Sequence, residues 1–187
     1  LDRMCKSPKV HQRRRAIELI RAESEKNLRA GYFRMARRLL KDPVSDVRWK
    51  ACVVLAMFLP SKHREIWEII KRHGKSCDED VRVAIGTVLL EHLLEQHFDT
   101  YFPLLAKEIQ ENPNLRCTAS MCWRFGVPAA KWRKLKAAIS REESRGIRKK
   151  GRKGKRLPGR CENGNGRGLP PYCFREGGTS PSPACIT

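Results

Sequence analysis

The 187 residues carry 40 Lys and Arg against 20 Asp and Glu, a net charge of +20, and 40% of them are hydrophobic. That much apolar material argues for a folded core and against wholesale disorder, and the length suits one domain with a tail. The longest apolar runs are broken by charge well short of the roughly 18 residues a membrane span needs. No charged-then-apolar leader opens the chain, so a cytoplasmic protein without a membrane partner is expected. Leu1 in place of Met marks a fragment or an unusual start, which leaves a lost leader open.

In chain order, Ser7-Pro8 starts a helix running to about Ala22, with Val10, Ile17 and Ile20 apolar. From there a spacing of 34 residues organises the sequence. It links Val47-Arg48 to Val81-Arg82 and Leu115-Arg116, and Ala51 to Ile85 and Ala119. It also links Cys52 to Gly86 and Ser120, Leu55 to Leu89 and Trp123, and Phe33 to Trp67 and Tyr101. Agreement in side-chain type at that many registers marks an internal repeat. Shifted by one, Ala16 falls into line with Ala51, giving a degenerate first unit.

Each unit reads as two helices. Val47, Ala51, Val54, Leu55 and Phe58 form one apolar stripe at i, i+4, i+7, i+8 and i+11. Small residues at Cys52, Gly86 and Ser120 let neighbouring helices approach. Pro60-Ser61 breaks the chain, with Ser61 expected to accept from the free amides of the next helix, whose apolar side is Ile66, Trp67, Ile69 and Ile70. In the third unit Tyr101, Leu104, Leu105 and Ile109 repeat the plan, and Pro103 is tolerable in a first turn. Asp42-Pro43, Asp78 to Asp80, and Asn112 to Asn114 mark junctions, their acidic groups suited to helix N-termini. Val127-Pro128 leads into a capping helix carrying Trp132, Leu135 and Ile139. The expected fold is all-α, about four stacked helical hairpins over 8–140, in units of about 9–41, 42–75, 76–111 and 112–140. Residues 141–187 are expected to be a disordered Gly/Arg/Lys/Pro-rich tail, because helix breakers recur through Gly146 to Pro158.

Charge follows the same map. Residues 1–75 hold a net +12, 76–115 a net −6, 116–140 a net +6 and 141–187 a net +8. The acidic band suits either a docking face for a basic partner or solvated helix caps, and it argues against a nucleic-acid groove spanning every unit.

The stretches from Asp46 to Leu55 and from Asp80 to Leu89 resemble the Asp-Val-Arg-x-x-Ala-x-x-x-Leu signature of HEAT repeats. Leu39 to Pro43 resembles the end of a HEAT second helix, and the likeness covers roughly 9–140. The tetratricopeptide pattern shares the unit length but its Trp, Leu-Gly and Tyr landmarks are missing. The chain is similar to short bacterial HEAT variants, and Glu91 to Phe98 with Ser120 to Gly126 looks like small HEAT proteins of no assigned activity. The resemblance implies a right-handed α-α superhelix, used to hold other macromolecules, and no chemistry.

Arg37, Arg38 and Lys41 align at the repeat spacing with Lys71, Arg72 and Lys75, then with Leu105, Ala106 and Ile109. The six cations form a candidate anion or nucleic-acid ridge on the second helices. The plainer reading is that cations in a last helical turn complement the helix dipole. His92 and His97, five apart, do not share a helical face, and no metal or cofactor site is expected. Cys52, Cys117 and Cys122 sit in helical repeat positions as small apolar thiols. Cys161, Cys173 and Cys185 lack any Cys-x-x-Cys or neighbouring His. Trp49, Trp67, Trp123 and Asp99 supply the residue types of HEAT-like DNA glycosylases, but no motif of theirs matches, and Trp67 and Trp123 fall on core registers. The tail reads either as an electrostatic nucleic-acid binder or as an expression or reading-frame artefact. The favoured function is a non-enzymatic scaffold for another protein, with nucleic-acid binding through ridge and tail as the alternative and a glycosylase a distant third.

Overall fold

The computed structural model describes the backbone of residues 1–152 and the side chains of residues 1–142. All regular structure among them is helical. A short α1 (Asp2–Cys5) precedes α2 (Val10–Lys26) and α3 (Ala30–Leu39). Then come α4 (Ser45–Ala56), α5 (Leu59–His73), α6 (Glu79–Ala84), a π-helical segment (Ile85–Leu90) and α7 (Glu91–Glu111). The described part closes with α8 (Pro113–Ser120) and α9 (Ala129–Arg152). In chain order the longer helices group as α2/α3, α4/α5, α6/α7 and α8/α9. Substantial packing occurs within a pair or against the next pair along the chain, as in α2 on α4, α4 on α6, α6 on α8, α5 on α7 and α7 on α9.

The buried stripes explain this stacking. Ala16, Ile17 and Ile20 in α2 and Tyr32, Phe33, Ala36 and Leu39 in α3 share a core with Val47, Ala51, Cys52, Val54 and Leu55. The same core continues through Ile66, Ile70, Leu89, Leu93 and Leu105 to Leu135 and Ile139. Gly86 lets α8 close in, because a Cβ there would stand 2.6 Å from the Thr118 carbonyl oxygen.

A row of arginines ties the pairs together. Arg13 donates through Nη1 to the Ser7 and Pro8 carbonyls, 2.9 Å each, and through Nε to Asp42 at 2.6 Å. Arg48 repeats this with the Asp42 and Pro43 carbonyls and with Asp80 of the next pair. Arg82 again reaches two loop carbonyls, Ser76 and Cys77, at 2.9 Å. Each arginine thus holds the turn before its own helix by donating to two of its carbonyls. The two aspartate contacts also clamp one unit to the next.

Several expectations need correction. Ser61 does not cap α5. Its hydroxyl donates back to the Phe58 carbonyl at 3.4 Å, and α5 already starts at Leu59. Non-helical backbone at Lys62 (φ −132°, ψ 28°) then bends α5. His97 repeats that bend (φ −136°, ψ 38°) inside α7, which places Pro103 well past the first turn. Lys62 and His97 are 35 residues apart, one more than the repeat spacing. The π-helical turn at Ile85–Leu90 accommodates the extra residue. Burial follows the shift, with Ile66 and Ile70 matched by Tyr101 and Leu105. Finally, α9 continues helical to Arg152, past the expected boundary at 140, with Glu142 still buried. The remainder of the expected tail, 153–187, lies outside the described residues.

Candidate anion-binding groove

Arg37 leaves the last turn of α3, Lys71, Arg72 and His73 the last turn of α5, and Lys75 the turn beyond. Together with Glu68, Ile69 and Glu108 they line a groove of about 390 Å³. Cations belong at helix C-termini on dipole grounds alone, but here two C-termini aim theirs into a shared space. Lys71 is compensated by Glu68 at 2.8 Å, and Lys75 by Glu108 at 2.7 Å. Arg37, Lys41 and Arg72 have no carboxylate partner among the described residues. Their charge registers on His73, whose pKa is lowered first by burial and then by Arg72, Lys41 and Arg37. Two guanidinium forks beside a neutral imidazole can take an anion bidentately.

Four of the six ridge residues therefore line the groove, and Lys41, outside the lining, acts on His73 only through its charge. Arg38 does not line the groove either. It sits 2.5 Å from Asp2 of α1 and is 47% exposed. Its pairing with the N-terminal helix keeps Arg38 out of the groove lining. In the third unit the π insertion brings exposed Lys107, rather than Ala106, to the register of Arg72.

The acidic band is largely spoken for. Asp78 caps α6 by accepting from the Asp80 and Val81 amides. Asp80 accepts from Ser45, Arg48 and Trp49. These bonds outweigh its burial and lower its pKa. Glu91 is buried and accepts from the Trp123 amide at 2.7 Å, burial raising its pKa. Asp99 pairs with Lys131 at 2.6 Å.

The residue types of a base-excision site are scattered. Trp67 is buried, the Trp49 indole donates to Asp80 at 3.1 Å, and Asp99 is held by Lys131. Trp123, expected in the core, is 67% exposed because α8 stops at Ser120. His92 and His97 part company as well, His92 packing near Phe125 and His97 near His63. Among the described residues no three His, Cys, Asp or Glu side chains converge as metal ligands would. Cys52 and Cys122 are buried thiols, burial pushing Cys52 up to about 12 and Cys122 higher still. No helix of the described residues is long and apolar enough to cross a membrane.

Sequence reasoning missed His73, the carboxylates that silence Lys71 and Lys75, and the exposed Trp123–Phe125 loop. Only the last had a signal, the Gly126 and Pro128 that follow it. Against protein-family models, curated proteins and solved structures, the chain has no match.

Proposed function

We propose that this chain is a short HEAT-type helical-repeat protein, a right-handed α-α superhelix of four helical hairpins. It acts as a scaffold in the cytoplasm, with no reaction and no cofactor of its own, and it holds an anionic segment of another protein. Neighbour-only packing of the pairs and the arginine clamps support the repeat reading. The observation that carries the binding reading is the pair Arg37 and Arg72, which line one groove with no carboxylate partner among the described residues, with the charge of Lys41 close enough to act on His73. Side chains that served only as dipole complements would gain by pairing with the nearby carboxylates, as Lys71 and Lys75 do.

Nucleic acid is the second reading, since phosphates would suit the same forks. The experiment is a titration of the full chain with a fluorescent deca-glutamate peptide and, separately, with duplex DNA. The Arg37→Glu/Arg72→Glu double variant should lose about tenfold or more in peptide affinity. Unchanged affinity would remove the groove from the proposal. A duplex that binds tighter than the peptide, with a steep salt slope lost in the double variant, would promote the second reading.

A further inference from the structure

The loop between α8 and α9 exposes two large aromatic rings. Trp123 and Phe125 are each 67% exposed, the highest values among the exposed large hydrophobic side chains. Water contact on that scale has a cost in a loop that is otherwise pinned. Glu91, itself buried, accepts from the Trp123 amide at 2.7 Å. Within the turn the Val127 amide donates to the Arg124 carbonyl at 2.9 Å, and Arg124 Nε returns a bond to the Val127 carbonyl at 3.3 Å. The Glu95 carboxylate fills the space where a Cβ at Gly126 would stand, 2.3 Å away. Phe125 sits at φ +33°, in the left-handed region that a bulky aromatic residue rarely enters. Backbone strain of this kind persists where the surroundings over-determine it, and it clusters at functional positions.

Strain and pinning here hold both rings outward. Phe125 leans on His92, ring centroids 5.9 Å apart, while Trp123 makes no ring contact among the described residues. Along the sequence the charge of the loop and the helix after it is one-sided. Residues 116–140 contain six Lys and Arg and no Asp or Glu. Arg124, Arg133, Lys134 and Lys136 are exposed and have no carboxylate partner among the described residues. Of the carboxylates near the loop, Glu91 accepts from the Trp123 amide and Asp99 pairs with Lys131, while Glu95 lies exposed against Gly126.

We propose that the Trp123–Phe125 loop is a stacking platform for single-stranded nucleic acid. Trp123 and Phe125 take the faces of successive bases, and Arg124 with the exposed cations of α9 takes the phosphates. A rigid aromatic pair set in basic surroundings suits an unpaired strand, because every base offers a ring face and every linkage a negative charge. A duplex hides its base faces, and an apolar protein surface would gain nothing from four unpaired cations. This site is separate from the groove. Glu95 touches the loop and Glu108 lines the groove, 13 residues apart on α7 or about 20 Å of helix. The proposal therefore stands whether or not the groove holds a protein segment.

The test uses the full chain and two oligomers of equal phosphate count, a 12-nucleotide oligodeoxythymidylate and its abasic counterpart. Titrations at about 0.3 M salt suppress purely electrostatic binding. The thymidylate oligomer should bind about tenfold tighter than the abasic one and quench indole fluorescence. Trp123→Ala and Phe125→Gly should each bring the two oligomers close to parity. Glycine relieves the positive φ at 125, so loss of binding there cannot be put down to misfolding. Arg72→Glu should leave the ratio intact, and a ratio that vanished with it would move the base contact to the groove and overturn the proposal. Parity in the native chain, the result expected if the rings served a protein's apolar face, overturns it too. So does a preference that survives both aromatic variants.

Discussion

Arg13 and Arg48 each reach an aspartate in the helix pair that follows, whereas Arg82, in the matching place, meets none. Asp42 accepts two bonds from Arg13, and Asp80 joins Arg48, Ser45 and Trp49. The last junction presents Asn112 and Asn114 instead, and is closed by weaker means. Thr118 Oγ1 donates to the Gly74 carbonyl at 2.7 Å, and Asn114 donates to the Lys75 carbonyl at 3.1 Å. Bare backbone at Gly86 and Gly74 allows the close approach. The early half of the stack is thus clamped by charge and the late half by fit. Departures from repeat regularity concentrate in the late half, namely the π turn, the shortened α8 and the strained Phe125. Ideal repeat geometry serves stacking, and the places that abandon it are where surface is shaped for something else.

The sharpest way to break that contrast is Asp42→Ala. It leaves the Arg13 guanidinium without its carboxylate and the Val44 amide without its acceptor. The side chain of Asp42 is only 2% exposed, so a loss of about 3–5 kcal/mol is expected in denaturant unfolding. Hydrogen exchange should accelerate first in α2 and α3. Gly86→Ala tests the other half. Its new methyl would meet the Thr118 carbonyl, which cannot rotate aside, and overpacking of about 1–3 kcal/mol follows. Protection should then fall in α8 and α9 while α2 to α5 keep theirs, as neighbour-coupled stacks allow. Uniform loss across the chain in either variant would mean that the two halves are one cooperative block.

The helix pairs could be read from the spacing because their first helices keep it. Val47, Ala51 and Leu55 are buried with Ile85, Leu89, Leu115 and Ala119. The π insertion could not, since Trp67 and Tyr101 are both aromatic and hide a one-residue slip between them. Trp123 inherited a core assignment from Leu55 and Leu89, but α8 is too short to carry that register to its end. In the ridge, composition showed the cations and not their partners. Asp2, Glu68 and Glu108 decide which charges remain free, and two of the three come from other helices. Pairing across elements leaves no local pattern to read.

The mildest expected effect concerns pH and separates the groove from the bend at His97. His73 is depressed by burial and by Arg72, Lys41 and Arg37, with Glu68 and Glu108 across the groove already paired to lysines. His97 is depressed by burial and then by His63, whose Nδ1 lies 2.6 Å from the Tyr101 hydroxyl. In the unfolded chain both titrate near 6.5. Above that pH both imidazoles are neutral in either state and contribute no pH dependence. As pH falls below it, the unfolded chain takes up protons first, so stability declines until the lower folded values are passed. Either His73→Gln or His97→Gln should therefore flatten part of the decline in thermal midpoint between pH 7 and about pH 5. The two differ once an anion is added. Sulfate keeps its charge across this window, and bound in the groove it would offset the repulsion on His73 and favour its protonation. Sulfate should then bind more tightly as pH falls and should soften the acid destabilisation. That coupling disappears in His73→Gln and survives in His97→Gln. A sulfate affinity indifferent to pH would show that the anion, if it binds, sits away from His73, and would leave the basic trio a surface feature of helix ends.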